Sequence, residues 1–152
     1  MKKILLLIIA ITTLQACVTT QTFKATDLTK AVILEDLNKT QNDLYITANE
    51  WMIDSFTSAE GVIQFSDKEN GTLIGKYLIS GNYGTVLGSY IDTRIYGKIT
   101  ILLKDNRAKI SIAPETDINA TSYTAIQEIR ANINNLALSF SNRIKNSNTN
   151  NW

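Results

Sequence analysis

The feature that most constrains this fold is one apolar stripe in the last third of the chain. After Ser122, the residues Ile126, Ile129, Ile133, Leu136, Phe140 and Ile144 recur every three or four positions with polar residues between them. That is the period of a single helix face, and Ser122 can cap the helix start. A helix apolar on one side only must lay that side on another layer. A second such helix begins near Thr40, which can cap. Asp43 sits in the first turn, where the helix dipole favours an acid. Leu44, Ala48, Trp51, Met52 and Phe56 follow at helical spacing, and the helix stops before Gly61.

The remaining apolar residues read as strands. Ala31, Val32, Ile33 and Leu34 mark a first strand within Lys30 to Leu37. Val62 to Ser66 is a second. Asp67 to Gly71 supplies hairpin chemistry, since Asn70 and Gly71 tolerate positive φ. Thr72 to Ser80 returns as the third strand. Gly81 to Ser89 reads as a loop holding Gly81, Gly84 and Gly88. A long strand follows within Ile91 to Leu103, with Ile95, Ile99, Ile101 and Leu103 on one alternating face. Lys104 to Arg107 turns, Ala108 to Ala113 pairs back, and Pro114 closes the sheet region before a polar loop. The order strand, helix, four strands, helix predicts an α+β fold: an antiparallel sheet of about five strands with both helices on one face.

Length and composition bound the rest. The chain has 152 residues, enough for one domain, with 44% hydrophobic and 19% charged residues, as in packed globular proteins. There is no histidine, which removes the commonest general base and the usual partner of a catalytic Ser or Cys. There is one cysteine, so neither an intramolecular disulfide nor a thiolate metal cluster can form. Nothing implies a cofactor.

That lone cysteine ends a recognisable address. Met1-Lys2-Lys3 is a short positive region, and Ile4 to Leu14 is predominantly apolar. Eleven helical residues reach roughly 16 Å, short of the ~30 Å bilayer core, so the segment reads as a secretory signal rather than a membrane span. It closes in Leu14-Gln15-Ala16-Cys17, which resembles a lipobox, with Gln15 departing from the usual small residue. The resemblance implies acylation of Cys17 and cleavage before it. Residues 1–16 are then a signal peptide, and residues 17–29, rich in Thr, are a tether. Residues 30–145 are the domain, and the Asn-rich 146–152 are a disordered tail. Val18 in place of Asp fits sorting to an outer membrane. Loss of Lys2 and Lys3 leaves the mature chain with one more acidic than basic side chain, which gives no basis for nucleic-acid binding.

Three further stretches carry a family resemblance. They are Asn42 to Tyr45 with Asn49-Glu50-Trp51 and Phe56, Val62 to Gly71 with Ile74-Gly75-Lys76, and Ile99 to Lys109. Over roughly Lys30 to Ala113 the chain resembles a family of bacterial domains of unknown function with a TBP-like fold. The resemblance implies the same strand order, often with export, and transfers no catalytic or binding residues. A fold does not carry its founder's function, and an exported protein meets no promoter.

Few side chains suggest chemistry. The spacing of Gly81, Gly84 and Gly88 matches no phosphate-binding loop. Tyr83 and Tyr90, in or beside that loop, are candidates to stack on a sugar or peptide. Asp67, Glu69 and Asp92 are the carboxylates on which an envelope enzyme acting on glycan or peptide would depend, but Asp67 and Glu69 read more simply as solvated turn acids. The expectation is a non-enzymatic, membrane-anchored envelope lipoprotein that binds an envelope protein or component. A carboxylate enzyme and a purely structural lipoprotein are the alternatives.

Overall fold

A computed structural model describes residues 20–56, 62–81, 83–86, 89–120 and 122–147, with only the backbone described across 83–92. Helix α1 spans Gln41–Ser55. Its cap is reciprocal: Thr40 Oγ1 accepts the Asp43 N–H at 3.2 Å and donates to Asp43 Oδ2 at 2.8 Å, satisfying an amide that the helix leaves unpaired. Helix α2 spans Tyr123–Asn146, and Ser122 Oγ accepts the Thr124 N–H at 3.2 Å. The end of α2 receives a cation, because the Lys39 ammonium donates to the Ile144 carbonyl and to Ser147 Oγ. Burial lowers the Lys39 pKa, and nearby Asp43 opposes that shift.

The two helices lock together through Trp51. Its ring meets Phe140 edge-on at 5.1 Å and Phe56 at 6.1 Å, and its Nε1 donates to Ser139 Oγ at 3.1 Å. Arg143 of α2 reaches Glu50 and Asp54 of α1 at 3.3 and 3.1 Å.

Beneath them lies an antiparallel sheet of five strands: β2 (Lys30–Leu34), β3 (Ile63–Asp67), β4 (Thr72–Ser80), β7 (Ile95–Lys104) and β8 (Arg107–Pro114), in the order β2-β8-β7-β4-β3. Alternation sorts their side chains. Leu73, Ile99, Ile101, Leu103, Ala108, Ile110 and Ile112 face the helices and are buried with Leu44, Met52, Ile126, Ile129, Ile133, Phe140 and Ile144. Each fully buried Leu, Ile or Phe stabilises the fold by about 1.5–3 kcal/mol. Gly75 lets the layers close. A Cβ there would lie 2.3 Å from Met52 Cε and 2.6 Å from the Val62 carbonyl oxygen.

The fold expected from the sequence is present, with three differences. Residues 21–28, expected within the tether, instead form strand β1 (Gln21–Phe23) and a 3-10 turn (Ala25–Leu28) whose Leu28 is buried. The polar loop expected after Pro114 contains β9 (Ile118–Ala120), which pairs with β1 from Gln21↔Ala120 to Phe23↔Ile118. The expected glycine loop is a hairpin of β5 (Tyr83–Val86) and β6 (Ser89–Asp92), and the long strand expected within Ile91 to Leu103 begins at Ile95. Tyr, Thr, Val and Ile in that segment favour strands, while Gly81, at φ +90°, supplies the bend that enters it. In the β3–β4 turn only Gly71 uses positive φ; Asn70 does not. Among the described residues, no helix is long and apolar enough to cross a membrane.

Candidate functional site

Two helices cover one face of the five-stranded sheet. The other face has no covering element among the described residues, and register maps it row by row. One row crosses Ile33, Lys109, Leu102, Thr72 and Asp67. The next crosses Ala31, Ser111, Thr100, Ile74 and Phe65. Ala113, Lys98 and Lys76 form a third, and Tyr96 with Leu78 a fourth. Ile33, Phe65, Leu78 and Leu102 are 49%, 50%, 47% and 43% exposed, so large apolar side chains recur across the whole face.

Cations interleave with them. Lys76, Lys98, Lys104, Arg107 and Lys109 all alternate onto this side, since their strand neighbours point into the core. Lys76 pairs with Glu115 at 2.6 Å, and Arg107 with Glu35 at 3.1 Å. Lys98, Lys104 and Lys109 have no ion pair among the described residues. The Lys76 ammonium also lies 4.6 Å from the centre of the Tyr96 ring, and the Arg94 guanidinium 5.7 Å from it. Tyr96, Glu115, Asp117 and Asn119 line a hollow of about 480 Å³ at this end of the face.

A second concavity, about 390 Å³, runs between β4 and α2. Tyr77, Leu78, Ile79, Asn132, Asn135, Leu136, Ser139 and Ser55 line it, and none of them is charged. Asn132 Nδ2 donates to the Ile79 carbonyl at 2.9 Å. Tyr77 is only 8% exposed, and its hydroxyl has no hydrogen-bond partner. Burial pushes its phenol well above the ordinary pKa.

The residues singled out in the sequence do not converge. Asp67 holds its own turn, Oδ1 accepting the Asn70 N–H at 3.0 Å and Oδ2 accepting from Asn70 Nδ2 at 2.8 Å. Glu69 shares that turn. Asp92 ends β6, three residues before Ile95, which pairs with Ser80 at the far end of β4. Thr72, opposite Asp67, and Ser80 are eight residues apart on β4, about 26 Å of strand. Three residues span at most about 10 Å, so Asp92 cannot join Asp67 in the close pair that glycan hydrolysis uses. Among the described residues, no three Cys, Asp or Glu side chains gather as metal ligands. In the β5–β6 hairpin, Tyr83 opposes Asp92 and Tyr90 opposes Thr85. Cys17 lies outside the described residues, as do residues 1–19 generally and 148–152 of the expected tail.

The layering that produces this face is a family property. A family model described as a domain of unknown function (DUF4468) with TBP-like fold matches residues 28–114. The chain belongs to this family. A DUF4468 family protein from Bacteroides ovatus ATCC 8483 is 14% identical, with 81% of this chain and 89% of that one covered and a TM-score of 0.54. A TBP-like protein from Parabacteroides distasonis ATCC 8503 is 15% identical, with 79% and 94% covered and a TM-score of 0.56. At this identity both structures speak to fold alone. Comparison with curated proteins gives no match.

Sequence reasoning placed both helices on one face of the sheet but missed the apolar side chains on the other. Their signal was present in β7, where Leu102 is apolar although its neighbours Ile101 and Leu103 already fill the core side.

Proposed function

We infer that this DUF4468 protein is a membrane-anchored envelope lipoprotein whose domain is a non-enzymatic binding module, docking an envelope protein or component through the uncovered sheet face. The observation that carries the reading is the half-exposure of Ile33, Phe65, Leu78 and Leu102 together on one side of the sheet. Exposed apolar residues are ordinary singly, and the helices carry four, Ile46, Ile53, Tyr123 and Leu138; the sheet face differs in interleaving its four with lysines. Apolar residues spread across one face, with cations between them, mark a surface built to be covered. The signal and lipobox at Cys17 support the anchor, and Val18 supports the outer membrane as its address.

Covalent side-chain footprinting tests the reading. The tagged protein is labelled in native membranes and, separately, after purification. Phe65, Leu78 and Leu102 are expected to be protected in membranes, while exposed Leu138 on α2 labels equally in both. Equal labelling of all four positions would count against a docking face.

A further inference from the structure

We propose that the surface this face docks on is an anionic lipid bilayer. The inference rests on the reading of the face as a docking surface and names what covers it. Charge complementarity is the first argument. Although the mature chain is close to neutral, Lys76, Lys98, Lys104, Arg107 and Lys109 all alternate onto this one side of the sheet. Three acids meet them, Glu115 at Lys76, Glu35 at Arg107 and Asp67 by cross-strand register, so the five cations leave the face net positive. Lys98, Lys104 and Lys109, unpaired among the described residues, are left to meet anionic headgroups. Basic residues near such a surface each strengthen binding about fivefold. Ile33, Phe65, Leu78 and Leu102 lie between the cations and are exposed on the same side, as apolar side chains that enter a headgroup boundary must be.

Reach is the second argument. Strand β1 starts at Gln21, four residues after Cys17, so an acylated Cys17 holds the domain within about 13 Å of the bilayer. The short leash keeps the local lipid concentration high, and weak contacts of the face then suffice.

The test uses the polypeptide from Val18 onward, which retains every described element and the whole core and lacks both the signal and the lipid. It is sedimented with vesicles of phosphatidylcholine alone or containing phosphatidylglycerol. Binding to the anionic vesicles only, weakened by salt, is expected. Lys98→Glu with Lys109→Glu should weaken it about 25-fold or more, whereas Arg130→Glu on the exposed side of α2 should not. Circular dichroism checks that the variants stay folded. Equal binding to both vesicle types, insensitivity to the double variant, or no binding would overturn the proposal. So would binding of a single-stranded oligonucleotide, but not vesicles, with the same sensitivity to the double variant. Protection in native membranes without vesicle binding leaves the docking face standing and removes the lipid; failure of both experiments removes both.

Discussion

At the residue scale, Tyr77 is the one described side chain that folding leaves unsatisfied. Its hydroxyl is buried without a partner, and a buried, unpaired polar group costs about 1–3 kcal/mol. Tyr77→Phe removes the oxygen and keeps the ring against Phe56, 5.6 Å away. It should raise stability by about 1 kcal/mol in urea denaturation; a loss of that size would mean the hydroxyl is satisfied in solution. Asp67 shows the opposite economy. Its carboxylate accepts from the Asn70 side chain first and the Asn70 amide second, and these bonds lower its pKa below the ordinary 3.8. Because the folded pKa is depressed, the turn's contribution is complete above the unfolded value and is lost as pH falls through the folded one. In an NMR titration the Asp67 carboxyl should therefore titrate below 3.8, and Asn70→Ala should move it back up. An unchanged midpoint in that variant would show that Asn70 is not the cause.

At the element scale, the helices were legible because their signals are local. Thr40 and Ser122 cap as expected, and the stripes bury as expected, apart from Phe56, partly buried just past the end of α1, and Leu136, partly buried beside fully buried Ala137. Phe140→Ala should cost about 3–5 kcal/mol, because Phe140 is wholly buried against Trp51. Leu138→Ala, two residues away and 59% exposed, should cost under about 0.5 kcal/mol. Equal losses in thermal melts would contradict the assigned helix face. The illegible elements are those whose meaning is not local. β1 and β9 are three residues each and partly polar, and they become strands only through one another. The β5–β6 hairpin was hidden by glycines that read as a flexible loop. Sheet order was not readable, since β2 joins an edge beside β8 across a long stretch of chain. The apolar character of the uncovered face went unread because in the run Ile99 to Leu103 the alternating Ile99, Ile101 and Leu103 account for the core, and Leu102 alone signals the other side.

At the scale of the whole molecule, two layers give two unlike surfaces: a helix side with ion pairs such as Arg143 to Glu50 and Asp54, and a sheet side of cations and apolar groups. An acyl group on Cys17 would attach four residues before β1. Cys17→Ala should move the protein from the membrane pellet to the soluble fraction in cells and abolish labelling by a fatty-acid analogue. Retention of the label in the variant would sink the lipidation.

The pairing of β1 with β9 also orders events in time. Thr22 and Asn119, whose side chains meet at 2.7 Å, are 97 residues apart in the chain. During synthesis the first strand therefore emerges with no partner and waits for almost a hundred residues to follow. Pairing of β1 with β9 thus closes a loop that holds all five strands of the main sheet between its two ends.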